Sequence, residues 1–264
     1  TPGQHQLLEI LVGFGVAGTG FGVILAIVGR TARPENRSMA LGITTAFGSA
    51  GQVIGAPLAE FLLQSMPWQT VFLVFAVLIL ATLMLLPFLR SPPMATRTID
   101  EESLGQLLAR AFRDPSYIMI FLGFFSCGYQ LGFITAHFPA FITERCATPS
   151  PGGMLADLGI STTSAVGALS IALIGLANIG GSLAAGWLGK TYTKKYLLSG
   201  IYMLRTFVAT AFILTPMTPG TVILFSLAMG SLWLATVPLT SGLVAQLYGI
   251  RYMGTLYGLV FFSH

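Results

Sequence analysis

Charge is scarce in this sequence. Only 8% of its 264 residues are Asp, Glu, Lys or Arg, against 54% hydrophobic residues and a mean hydropathy of +0.81. Soluble domains are about one quarter charged. A soluble chain of this length would need a polar surface that these few charges cannot supply. The net charge of +4 is dispersed among the loops instead of gathered in one patch, which excludes a nucleic-acid binder. Cysteine is nearly absent as well. Cys127 lies deep in an apolar run and Cys146 past its end, so no disulfide framework is expected. The phosphate-loop pattern GxxxxGK[ST], an HExxH pair and any Cys/His cluster are all missing, so no ATP-driven pump, metal site or cofactor is indicated. No Ser–His pair or pair of intramembrane Asp residues suggests a hydrolase, so the chain is not read as an enzyme. The first residue is Thr1 and no leader-like segment precedes the first apolar run. The last residues stop inside an apolar pattern, and the reading is of a piece of a longer chain.

What is present is a series of long apolar runs. A membrane-crossing helix needs roughly 20 such residues. Complete spans are expected at Leu7–Val28, Met39–Leu63, Val71–Leu89, Tyr117–Phe141, Ala165–Leu188, Leu197–Thr215 and Val222–Leu247, with a further one beginning at Tyr252. Apolar–polar alternation is absent, which argues against a membrane β-barrel. The fold class is therefore an all-α polytopic membrane bundle. Eleven of the 13 Lys and Arg fall in one alternating set of loops, among them Arg30, Arg37, Arg90, Arg97, Lys190, Lys194 and Arg251. The excess of positive charge in inward loops puts this set in the cytoplasm.

The spans fall into groups. Residues 1–89 hold three spans, 90–116 form a long polar cytoplasmic linker, and 117–264 hold four spans and the start of a fifth. Within the linker, Leu104, Leu107, Leu108 and Ala111 share one face of an amphipathic helix expected to lie on the membrane surface. Two helix groups joined by such a linker suit a transporter whose halves rock; an ordinary loop is the other reading. Small residues at Gly18/Gly22, Gly51/Gly55 and Asn178–Gly186 have the spacing that lets helices approach closely in lipid. Pro57, Pro139 and Pro238 fall in or near spans, where they kink a helix or free a carbonyl.

Several stretches resemble the major facilitator superfamily. The hairpin from Arg37 through Gly48–Pro57 to Trp68 resembles its helices four to six. Ser170–Lys195 resembles helices eight and nine, and Trp233–Gly242 through Arg251 to Gly258 resembles helices ten and eleven of bacterial carriers of the monocarboxylate and oxalate–formate type. The resemblance implies a twelve-helix fold of two six-helix bundles, in a bacterial inner membrane, represented here by about helices four to eleven. Two departures stand out. In the loop motif of this superfamily Gly186 and Leu188 match, but Lys190 stands where an Asp is usual and Thr193 replaces a Gly. The antiporter motif of helix five is only partly matched by Gly55-Ala-Pro57-Leu-Ala-Glu60. Arg37 before Gly42 and Arg251 before Gly258 make a faint echo that suits a repeated three-helix unit.

An ionisable group inside a span is expensive unless it is paired or hydrated. Arg205 lies ten residues beyond Lys195, or roughly 15 Å deep at the helical rise. It has two readings: contact with a carboxylate substrate or gate, or a structural hydrogen-bonding role. The resemblance places it on helix nine, outside the cavity, and places the fourth span on cavity-lining helix seven. There Ser126, Gln130 and His137 share a face, flanked by Tyr129 and Phe133. His137 either binds an anion or relays a proton, or is hydrated near the outer interface. On helix ten, Trp233, Thr236 and Thr240 make a similar stripe, with Trp233 a cavity wall or packing. Asn178 is expected to bond a neighbouring helix, and His264 to lie near mid-membrane. Glu9 and Glu60 are read as solvated. The functional expectation is a secondary transporter of a small organic anion, by alternating access and coupled to protons. An exporter of hydrophobic solutes and a non-transporting sensor or scaffold are the alternatives. Membrane lipid and the small-molecule substrate are the expected partners; the oligomeric state is left open.

Overall fold

The computed structural model describes residues 2–88 and 103–264; Arg90, Arg97 and the rest of 89–102 lie outside the described residues. The described residues are helical, with no strand among them. In chain order they form α1 (Pro2–Thr19), α2 (Phe21–Thr31), α3 (Arg37–Ser65) and α4 (Trp68–Ala81), the last continuing as a 3-10 turn over Thr82–Phe88. After the linker come α5 (Leu104–Ala111), α6 (Pro115–Arg145), the short α7 (Met154–Asp157), α8 (Thr163–Thr191) and α9 (Lys194–Leu214). Then follow α10 (Pro219–Leu232), α11 (Thr236–Tyr248) and α12 (Ile250–Phe262). Five stretches are long and apolar enough to cross a membrane: Trp68–Leu85, Pro115–Arg145, Thr163–Thr191, Lys194–Leu214 and Pro219–Tyr248.

Local chemistry sets the helix starts. The Asp114 carboxylate accepts from the Ser116 backbone N–H with Pro115 in the first turn, and Thr162 caps α8 in the same way. Thr218 and Thr221 cap α10 reciprocally.

Two apolar runs expected as single helices are broken. The first divides at Gly20, whose backbone is extended (φ −73°, ψ 168°). The glycines crowded here lose the most backbone entropy on entering a helix, so this is the weakest point of the run. The run Val222–Leu247 divides between Leu232 and Thr236. Pro238 has no N–H for the Leu234 carbonyl, and its ring displaces that carbonyl, which ends the helical ladder from the far side.

Helix packing follows the small residues, though not all of them. The α3–α8 crossing brings backbones together: a Cβ on Gly42 would lie 2.8 Å from the Ser182 carbonyl and 2.9 Å from Gly186 Cα. Gly189 abuts the Ser38 hydroxyl at the same crossing, and Gly230 meets Ile174 where α10 crosses α8. A Cβ on Gly51 or Gly55 would meet nothing within 4 Å, so that pair does not mark a close approach. Cys127 and Cys146 are buried free thiols, as the sequence suggests; burial pushes the Cys146 thiol up from its ordinary pKa.

The amphipathic helix α5 behaves differently from the surface helix expected. Leu107 and Ala111 are buried in one apolar cluster with Tyr117, Val244 and Met253, while Leu104 is exposed. Part of its apolar face, Leu107 and Ala111, is thus buried in a cluster shared with residues of α6, α11 and α12. Beside it, the Tyr248 hydroxyl donates to Asp114 at 2.6 Å, and Tyr117 donates to the Leu256 carbonyl at 2.9 Å.

Candidate functional site: a buried guanidinium among four helices

Arg205, on α9, faces α6 in the interior of the group α6–α12. It is fully buried, and stands among the largest fully buried side chains of the described residues. One terminal nitrogen donates to Cys127 Sγ on α6 at 2.8 Å. Its Nε and the other terminal nitrogen have no hydrogen-bond partner among the described residues. Thr236 of α11 lies 3.5 Å from the same sulfur. His264, beyond the end of α12, lies close enough to sense the Arg205 charge, and Tyr257 and Tyr202 lie near Cys127. The Tyr257 hydroxyl, Thr240 Oγ1 and His264 Nε2 are also buried without partners.

This is an unusual electrostatic arrangement. Burying a guanidinium costs several kcal/mol unless it is paired, and a thiol is a weak acceptor. The two free N–H groups of one planar fork are suited to hold an oxyanion bidentately. Aromatic rings close one side. His264 packs against Phe124 and Phe261 with ring centroids 4.7 and 5.4 Å away, and Tyr257 meets Phe124 edge-on.

The other expected residues divide between this neighbourhood and the scaffold. His137 and Tyr129 are exposed on α6, in a ladder with Phe133: Tyr129–Phe133 at 6.4 Å and Phe133–His137 at 5.1 Å. With His264 they line a shallow concavity of about 350 Å³. The structure thus brings His264, His137 and Tyr129 to one concavity, and His264 within reach of the Arg205 charge; Arg205 does not line that concavity. Gln130 is half-buried and Ser126 exposed.

Asn178 is fully occupied with structure. Its Nδ2 donates to Ser49 of α3 at 2.7 Å, and its Oδ1 accepts from the Leu234 backbone N–H at 2.8 Å and from Ser182 at 3.3 Å. It therefore caps the break between α10 and α11. Trp233 lies in that break, in a buried cluster with Ile174, Phe225 and Met229.

At the opposite end of the α3–α8 crossing sit the basic residues. Arg37 Nε donates to the Gly29 carbonyl at 2.9 Å, and Lys190 Nζ donates to Asn36 Oδ1 at 3.0 Å. The substitution of Lys190 for the usual Asp therefore gives a neutral tie across the crossing in place of an ion pair. Arg251 is exposed.

Sequence reasoning passed over Cys127, Tyr257 and Ser49. In the sequence Cys127 registers only as half of a possible disulfide, although it adjoins Ser126 on the polar helix. Tyr257 and Ser49 are ordinary polar positions in apolar runs, and only the fold reveals what they face.

A helical bundle crossing a membrane, with polar groups gathered in its interior, is the class that fold and site define. Residues 6–264 match the family model of the Major Facilitator Superfamily, and the chain belongs to that family. It is 24% identical over 242 residues to the uncharacterized MFS-type transporter YcxA of Bacillus subtilis (strain 168), covering 87% of this chain and 54% of that protein. The chain thus spans about half the length of the curated relative it matches.

Proposed function

We propose that this chain is part of a secondary transporter that carries a small organic anion of the monocarboxylate kind by alternating access, with Arg205 as the anion's contact. The observation that carries this reading is the fully buried guanidinium with two nitrogens unpartnered. A carboxylate placed there would satisfy both nitrogens and neutralise the charge, which turns a costly burial into a binding energy. Thr236 and Tyr257 are hydroxyl donors for its second oxygen edge. His264 lies between Arg205 and the concavity that holds His137, and these imidazoles are the reading's candidates for the coupled proton. Residues 1–89 and 117–264 belong to two rocking bundles, joined by 90–116. The basic end carrying Arg37, Lys190 and Arg251 faces the cytoplasm of the plasma membrane.

The test uses the full-length parent in proteoliposomes. Labelled mono- and dicarboxylates are offered with and without an inward proton gradient, to the parent and to Arg205→Gln and Arg205→Lys. The reading expects gradient-driven uptake, its loss in Arg205→Gln and partial return in Arg205→Lys. Normal uptake by Arg205→Gln removes Arg205 from the site, and no carboxylate flux under either condition removes the anion.

A second reading, export of hydrophobic solutes, draws on a different feature. An open cavity of about 1320 Å³ between α2, α3 and α12 is lined mainly by apolar groups, including Phe21, Phe47, Phe261 and Phe262. That reading expects flux to depend on these rings and to ignore carboxylates.

A further inference from the structure

The basic end of the α3–α8 crossing holds a further, smaller cavity, to whose lining Arg205 does not belong. It measures about 210 Å³ and is lined by Arg37 and Ser38 from the first helix group and by Lys190 and Lys194 from the second, with Gly242 and Gln246 of α11. Three cations therefore meet around one small space. Each is tied only to a neutral acceptor: Arg37 to the Gly29 carbonyl, Lys190 to Asn36, and Lys194 to the Gly189 carbonyl at 3.0 Å. Arg37 and Lys194 lie close enough for their charges to interact, although they belong to different helix groups. The one carboxylate in the lining, Glu35, is exposed.

Bringing these cations together opposes closure of the crossing, because like charges at short range repel, most strongly between the half-buried Arg37 and Lys194; Lys190 is exposed. The cavity also contains an unmet hydrogen bond. Ser38 is 6% exposed, and its hydroxyl has no partner although it lines the space. The Lys194 stem is held in place against Gly242, where a Cβ would lie 2.9 Å from Lys194 Cε. Positive charge from both sides, a buried hydroxyl without a partner and a held ammonium together make a receptor for a compact oxyanion.

We propose that this cavity binds a phosphate-type oxyanion, either free in solution or as the headgroup of an anionic lipid, and that the bound anion locks the basic end of the molecule closed. The anion bridges Arg37 on one side and Lys190 and Lys194 on the other, and it accepts from Ser38. The site exists only while α3 and α8 are in contact, so ligand binding and closure are linked. It is independent of the proposed anion contact at Arg205.

The experiment uses the full-length protein and three readouts. Thermal unfolding in detergent is compared in sodium phosphate and sodium chloride at equal ionic strength. Unfolding is then compared in nanodiscs of phosphatidylglycerol and of phosphatidylcholine. Spin labels on the exposed positions of Arg33→Cys and Tyr192→Cys report the separation of the two helix groups. The expected result is a rise in midpoint of about 2 °C or more with phosphate or with phosphatidylglycerol, and a shift of the label distances toward the shorter population. A rise in detergent with phosphate identifies the free anion; a rise confined to phosphatidylglycerol identifies the lipid. Lys194→Gln is expected to weaken half-maximal phosphate by about tenfold. Ser38→Ala, which leaves all charges and helix contacts in place, is expected to weaken it about threefold. Arg205→Gln keeps the full response, which separates this site from failure of the transport reading. Equal midpoints in phosphate and chloride and in both lipids overturn the proposal. So does an undiminished response in Ser38→Ala and Lys190→Gln together, or a midpoint shift with unchanged label distances.

Discussion

Asn178 and Arg205 are both fully buried polar residues on apolar helices, yet they differ in what surrounds them. Asn178 has partners at both ends of its amide: Ser49, Leu234 and Ser182. Arg205 has one weak partner and two nitrogens with none. Burial alone therefore does not distinguish a structural polar group from a binding one. What separates the two is unmet hydrogen-bonding capacity among the described residues, and the reading of Arg205 as a binding group proposed above rests on it.

That contrast is open to attack by substitution. The largest effect is expected at Arg205 itself: Arg205→Gln lowers carboxylate uptake by about 100-fold, in keeping with loss of a buried charge partner. Arg205→Met, which fills the volume without charge, raises the thermal midpoint while abolishing uptake; a lowered midpoint would make Arg205 a structural residue like Asn178. Asn178→Ala does the opposite. It leaves the Leu234 N–H without its acceptor, while the Ser49 hydroxyl loses a donor but still donates to the Thr45 carbonyl, and it costs about 2–3 kcal/mol in unfolding experiments. Gly42→Ala, whose Cβ would press on Ser182 and Gly186, costs about 1–3 kcal/mol and favours the separated state of α3 and α8, readable by the same label distances.

The smallest effect is electrostatic. Hydrogen bonds from Tyr248 and from the Ser116 backbone hold the Asp114 carboxyl below its ordinary pKa of 3.8. A depressed value means that the ionised form stabilises the fold. The contribution is complete above the ordinary value and disappears as pH falls below it. Tyr248→Phe should therefore reduce stability near neutral pH and converge with the parent under acid. A difference that persists in acid would assign the effect to packing.

Much of this architecture is legible in the sequence because membrane helices announce themselves by length and apolarity. The breaks are harder. Pro238 marks the second one, but only the approach of Asn178 shows how the freed Leu234 N–H is satisfied. The amphipathic pattern of α5 describes a helix with one apolar face and is silent on whether lipid or protein covers it; here Val244 and Met253 do. The depth of Arg205 follows from counting residues, whereas its direction depends on how α9 is rotated against α6 and α11. On α6 the polar stripe drew notice to Ser126, Gln130 and His137, while the sulfur facing Arg205 belongs to the neighbouring Cys127. A stripe of polar types locates the helix that matters, but an apolar-looking thiol does not register in it.

The amide of Asn178 has one further consequence. Its oxygen serves the bend between α10 and α11, and its nitrogen serves the contact with α3. An amide is planar, so a pull on Ser49 cannot move one end without swinging the other. One side chain of α8 thus holds both α3 and the α10–α11 bend, so drawing α3 away from α8 must first break its bond to Ser49.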